Sequence, residues 1–307
     1  MTVPQTTPFA HGPPPTRDTG ILLFGVLCAS SAPPLMAAIA APALAIAFWR
    51  NALALVVLVP WAALRSRREI ATLRGRRLLL IAFAAVMLAT HFGSMAASLD
   101  HTSVASAAAL VCTQAVWAAL FSRILGERLT LVAWLGTFVA LAGVLLVTGI
   151  DAAVSTEAVL GNLLAILAGA AGGAYIVAGG IVRQSVGVTA YTTTCYGICA
   201  ATLLGAALLA GAPLWGFPPR AWIQLAALTV LAQLLGHSIF NLVVRSVRPS
   251  FVSLTQLLTV PLAVIAAAIA FGESPPPAAY PALVLMLVGT GMVVSAARRR
   301  PLQIDEL

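Results

Sequence analysis

Long apolar runs alternate with short clusters of proline, glycine and arginine along almost the whole chain. Each run approaches or exceeds the roughly 20 residues that cross the hydrocarbon core of a bilayer. Read with its punctuation, the pattern predicts ten membrane helices, at residues 20–40, 42–64, 78–98, 102–123, 129–149, 159–181, 189–211, 221–244, 249–271 and 277–297. The gaps between them are short and leave no room for a soluble domain. Residues 1–19 and 298–307 are then expected to be cytoplasmic tails. The first run has no cleavage pattern after it and is expected to stay in the membrane.

The second half of the chain repeats the first. Gly126-Glu127 returns 146 positions later as Gly272-Glu273, and His91, Trp134, Leu141, Gly143 and Val147 return as His237, Tyr280, Leu287, Gly289 and Val293. Residues 20–149 and 159–297 therefore read as two five-helix repeats. Five is odd, so the second copy would enter the membrane from the opposite side, as an inverted repeat. Such duplications occur in transporters that hold substrate between their halves.

Composition fits this picture. The chain is 61% hydrophobic and 8% charged, with a mean hydropathy of +1.00, where a soluble domain has about a quarter of its residues charged. The net charge of +8 does not point to nucleic acid. All 17 basic residues are arginine, and most sit in loops. With the N-terminus inside, Arg17, Arg65, Arg67, Arg68, Arg74, Arg76, Arg77, Arg123, Arg128, Arg183, Arg245, Arg248 and Arg298–Arg300 all fall on the cytoplasmic side. Arg220 alone lies outside, and Arg50 lies within a span. This sorting follows the positive-inside rule and predicts an N-in, C-in protein. Cys28, Cys112, Cys195 and Cys199 fall within spans and read as small apolar side chains, not as disulfides or metal ligands.

Residues 103–147, with the turn Leu125-Gly126-Glu127-Arg128-Leu129-Thr130 and the ending Leu141-Ala142-Gly143-Val144, resemble the end of an EamA domain, which defines much of the drug/metabolite transporter superfamily. The second copy around Gly272-Glu273 is a weaker match. Arg50 stands where the second helix of the family usually carries arginine. Phe24-Gly25 replaces a frequent Trp-Gly, and Tyr196 stands where symmetry would put a second arginine. The resemblance covers residues 20–297. It implies a ten-helix transporter in the bacterial cytoplasmic (inner) membrane, commonly an exporter of amino acids or other small metabolites.

Polar residues within spans are costly and should face protein or water. Gln233, His237 and Asn241 recur every fourth residue and predict one inward face of the eighth span. His91 and Ser94 on the third span, Thr113, Gln114 and Trp117 on the fourth, Tyr175 on the sixth, and Gln256 and Thr259 on the ninth complete the candidate substrate-binding set. Arg50 is a candidate for anion recognition or for a structural bond near the Pro33-Pro34 break. Gly169 and Gly173 have the spacing of a close helix contact. Glu127 and Glu273 are expected to favour the positive ends of the helices that follow them. Motifs such as HExxH, GxSxG and a phosphate-binding loop are absent, so neither catalysis nor a cofactor is expected. The expected partners are a small-molecule substrate and the lipid bilayer. The function expected is alternating-access export of small metabolites such as neutral or aromatic amino acids. A lipid-modifying membrane enzyme and an uncoupled channel or facilitator are the alternatives.

Overall fold

The computed structural model describes residues 15–127, 129–152, 156–262 and 279–298. These residues form helices and no strand. Seven stretches are long and apolar enough to cross a membrane: Thr16–Ala38, Ala43–Arg65, Gly75–Ser98, Ser106–Ile124, Thr156–Arg183, Val188–Leu209 and Pro219–Val243. Each begins and ends within about one helical turn of its predicted span. Leu131–Gly143 and Tyr280–Gly289 are shorter apolar stretches within longer helices. The protein is thus an all-helical, multi-pass membrane protein. The end of the predicted ninth span, the Gly272-Glu273 turn and most of both tails lie outside the described residues.

Several spans are built from pieces. Helices α1 (Thr16–Ala29) and α2 (Ala32–Ala38) meet at Ser30-Ser31. There both hydroxyls turn back onto carbonyls, Ser30 Oγ to Leu27 at 2.6 Å and Ser31 Oγ to Cys28 at 2.7 Å, and Pro33 and Pro34 open the next turn. The span α3 (Ala43–Arg65) leads through the short α4 (Arg67–Ala71) to α5 (Gly75–Ser98). The next span divides into α6 (Val104–Val111) and α7 (Gln114–Ile124), broken at Cys112-Thr113. Then come α8 (Leu131–Ala152), α9 (Thr156–Arg183) and α10 (Val188–Leu209). The eighth span runs through α11 (Pro219–Leu228), a π-helical segment (Thr229–His237) and α12 (Ser238–Val243). Finally α13 (Pro249–Thr255) tightens into a 3-10 turn (Gln256–Leu258), and α14 (Ala279–Arg298) ends the described chain.

The sequence repeat has a structural counterpart. Gly143 in α8 lies against Ala282 and Met286 of α14, and Gly289 in α14 lies against Gly136 and Ala140 of α8. These contacts exchange under the same 146-residue offset. Each glycine meets residues that precede the other in the repeat, which requires α8 and α14 to run antiparallel. The interruptions also correspond. Thr113 Oγ1 bonds the Leu110 carbonyl and Thr259 Oγ1 bonds the Gln256 carbonyl, each at 2.7 Å. Both threonines sit where the helix departs from regular α geometry. The π segment breaks this correspondence, because the matching stretch of α5 is regular α-helix.

Large apolar side chains cover the periphery, as a lipid-facing surface requires: Leu209 is 93% exposed and Leu64 83%. Small residues fill the inside. The α9 glycines let that helix reach the break in the fourth span, Gly169 against Thr113 and Val111, and Gly173 against Trp117 and Ala118.

Glu127 does not cap α8. Thr130 Oγ1 takes that position, accepting from the Ala133 amide at 3.1 Å. The turn that carries Glu127 needs the positive φ of Gly126, +91°. It delivers the carboxylate into a buried contact instead, where Ser250 Oγ at the start of α13 donates to Glu127 Oε1. A loop of the first half is thereby tied to a helix of the second. Burial raises the Glu127 carboxyl above its ordinary value of 4.5.

Two outcomes follow. Gly289→Ala should lower stability by about 1–3 kcal/mol through overpacking against α8, whereas Gly291→Ala, with open space at its Cβ, should be neutral or stabilising; thermal unfolding of purified protein compares them. Because folding raises the affinity of Glu127 for its proton, stability should fall as pH rises from the ordinary carboxylate range through the raised value. Glu127→Gln should flatten that dependence, and an unchanged pH profile in the variant would contradict the assignment.

Candidate functional site

Polar residues from both halves converge on a small cavity of about 50 Å³. Arg50 from α3, His91 from α5, Gln114 from α7, His237 from the π segment, and Gln256 and Thr259 at the ninth span line it. Ala29, Pro33, Met95 and Val111 supply apolar wall. The repeats meet here: the His91 and His237 rings are 5.9 Å apart, and Cys112 Sγ lies 3.6 Å from Thr259 Oγ1.

Arg50 is fully buried, and an ordered relay holds it. Its Nε donates to Gln233 Oε1 at 3.0 Å, Gln233 Nε2 donates to Asn51 Oδ1 at 3.0 Å, and Asn51 Nδ2 donates to the Ala47 carbonyl at 2.9 Å. The direction is forced. Arginine only donates, so Gln233 must present its oxygen, and each amide beyond is fixed in turn. Nη1 points to Met36 Sδ at 3.7 Å, and the guanidinium lies 3.7 Å above the Phe92 ring centre, a cation–π contact. Nη2 has no hydrogen-bond partner among the described residues.

His91 Nδ1 is 2.8 Å from the Ala168 carbonyl. A carbonyl only accepts, so this nitrogen carries the proton and a neutral ring would present Nε2 as an acceptor. His237 packs edge-on to Phe92 at 4.9 Å and Phe240 at 5.6 Å, with its Nδ1 unpartnered among the described residues. Gln114 Nε2 donates to Gln256 Oε1 at 2.6 Å across the two broken spans, which leaves Gln256 Nε2 without a partner among the described residues.

The remaining candidates lie elsewhere. Tyr175 and Asn241 form a second polar cluster, with Tyr175 Oη 2.8 Å from Asn241 Oδ1 and Asn241 Nδ2 3.3 Å from Tyr196 Oη. Arg183 Nε caps the Asn241 carbonyl at 2.7 Å, and Tyr175 touches the cavity only through His237, ring to ring at 6.3 Å. Gln233, His237 and Asn241 therefore meet three different surroundings. In a π segment the coil is wider, so residues four apart do not keep the register of an α-helical stripe. Gln233 faces Arg50 instead of the cavity. Ser94 is half-buried and outside the lining. Thr113 is turned to its own backbone, and Trp117 stacks on Phe121 at 6.2 Å away from the cavity.

Asn51, Met36 and Phe92 were not singled out from the sequence, and Cys112 was read there only as a small apolar side chain. Asn51, directly after an intramembrane arginine, was the readable signal; the other three resemble ordinary apolar positions.

The EamA-like transporter family matches the chain twice, over residues 19–149 and 159–295. Another protein's crystal structure, described only as "Crystal structure of protein", aligns with a TM-score of 0.77 and 18% identity, over 93% of this chain and 99% of that one. At that identity the likeness concerns the fold alone. No curated protein matches the chain. Two family matches that together span nearly the whole sequence, on an all-helical multi-pass frame, make the protein a membrane transporter and a member of the EamA-like transporter family within the drug/metabolite transporter superfamily.

Proposed function

We propose that the protein is an alternating-access exporter of small metabolites such as neutral or aromatic amino acids, acting in the bacterial inner membrane. In this reading ten helices form two inverted five-helix repeats, with both termini in the cytoplasm and substrate held between the halves. The observation that carries the reading is the polar cavity where the two repeats meet, lined by the paired positions His91 and His237. The reciprocal Gly143 and Gly289 contacts support the inversion, because a two-fold relation lets each half adopt the arrangement of the other.

At about 50 Å³ the cavity is far smaller than the roughly 300–1,000 Å³ of a typical ligand pocket. This conformation therefore leaves no room for a whole metabolite, and transport requires the halves to part on one side at a time. The interrupted fourth and ninth spans are suited to such motion, since their breaks lie at the cavity and leave the outer segments to move as short rigid rods. Glu127 and Ser250 lie away from the cavity and join the halves on one side of it. Parting the halves there requires that contact to break.

Purified protein in proteoliposomes preloaded with unlabelled phenylalanine should accumulate labelled phenylalanine by counterflow. Gln114→Leu, which removes the bond between the two broken spans, should slow exchange about tenfold, the scale of one lost hydrogen bond, while membrane insertion stays intact. Absence of counterflow for every neutral amino acid would overturn the substrate assignment, and an unaffected Gln114→Leu would remove that residue from the site.

A further inference from the structure

Three residues that line the cavity carry polar atoms that the protein itself does not use. Arg50 Nη2 and Gln256 Nε2 are donors, His237 Nδ1 can donate, and none has a partner among the described residues. Arg50 is fully buried and Gln256 is 7% exposed. A buried donor left unmade costs about 1–3 kcal/mol, so two such donors beside a histidine nitrogen are a cost that a ligand would remove.

The arrangement around them is directional. The relay through Asn51 and Gln233 consumes Nε of Arg50 and fixes the plane of the guanidinium. Met36 takes one side of Nη1, and Phe92 covers one face. The remaining edge carries Nη2. Gln114 similarly engages Gln256 Oε1 and leaves the amino group. Gln114 also begins α7, whose amino end carries the positive pole of its dipole. The charge is not balanced internally. Among the described residues the ion pair found is His101 with Glu157, and none of the described lining residues is Asp or Glu.

From this geometry we infer that Arg50, Gln256 and His237 form a carboxylate subsite, and that the protein carries small organic anions with one carboxylate and an apolar body. The inference rests on the transporter reading and moves its preferred substrate from amino acids to simple carboxylates. A carboxylate matches the planar donor edge of a guanidinium better than a neutral polar group does. At about 50 Å³ the cavity exceeds the roughly 10–15 Å³ that a single water needs, so a small polar head group can enter it. The body of the ligand would extend along Ala29, Pro33, Met95 and Val111 once the halves part. An amino acid presents the same carboxylate, but its ammonium would find no carboxylate among the described lining residues. A simple carboxylate is therefore the better fit.

The test compares phenylacetate, phenylacetamide and phenylalanine on the purified full-length protein, read by thermal stabilisation and by calorimetric titration. Phenylacetate should bind at least tenfold more tightly than its amide and more tightly than phenylalanine. Arg50→Gln should abolish the preference for acid over amide, and Gln256→Leu should weaken phenylacetate about tenfold and phenylacetamide less, because a donor bonds a carboxylate more strongly than a neutral carbonyl. If Arg50→Gln does not fold, Gln256→Leu and Arg50→Lys, which keeps the charge and loses the planar edge, decide the matter by the same ratio. Equal binding of acid and amide to the wild type, no binding of phenylacetate, or tighter binding of phenylalanine would overturn the inference. Counterflow of labelled phenylacetate separates it from the transporter reading. Binding without exchange leaves the subsite standing and sinks the transport assignment. Exchange of neutral solutes with no acid preference does the reverse.

Discussion

A guanidinium held far from water is the constraint on which the arrangement of this protein depends. Arg50 cannot be buried in a membrane protein without partners, and the chain provides them from different helices. Gln233 comes from the π segment, Met36 from α2 and Phe92 from α5. Satisfying this one side chain draws α3, α2, α5 and the π segment together. Asn51, one residue on, closes the relay against its own helix. What the relay leaves without a partner among the described residues is Nη2 of a guanidinium whose residue lines the cavity.

The architecture around Arg50 is symmetric in its frame and asymmetric in its chemistry. The frame repeats: reciprocal glycine contacts between α8 and α14, matching threonine bonds at the two broken spans, and facing histidines. The chemistry does not. Tyr196 occupies the position equivalent to Arg50 and joins a neutral cluster with Asn241 and Ser238. The π segment widens only the second copy, and it carries both Gln233 and His237. Extra residues inserted into a helical turn are a common way to re-aim a side chain at a functional site. Here they turn Gln233 toward the arginine while His237 remains at the cavity.

Much of the frame was legible in the chain. Apolar runs gave the seven long apolar stretches among the described residues to within about a turn, since membrane helices must satisfy their own backbone and so announce themselves by length. The duplication was visible in residues such as Gly143 and Gly289 because the close packing of α8 against α14 tolerates few side chains there. The polar site was read only in part. His91, Gln114, His237, Gln256, Thr259 and Arg50 do line one cavity. Ser94, Thr113 and Trp117 do not, because helical spacing gives a face and not its neighbour, and because a hydroxyl can be satisfied by its own backbone. The π segment was invisible, as nothing in Thr229–His237 distinguishes it by composition from an α-helix. Glu127 was misread for a related reason: its distance from α8 in sequence suggested a cap, while its actual partner, Ser250, is 123 residues away.

The central claim is that one buried cavity between the repeats opens in turn to both sides of the membrane. Cys112 lines that cavity and is 4% exposed, so it can report directly. In a variant that keeps Cys112 and replaces Cys28, Cys195 and Cys199 with alanine, its reaction with a membrane-impermeant thiol reagent can be followed in right-side-out and inside-out vesicles. The account predicts labelling from each side, slowed in both by saturating substrate. Labelling from one side only, under every substrate condition, would contradict it.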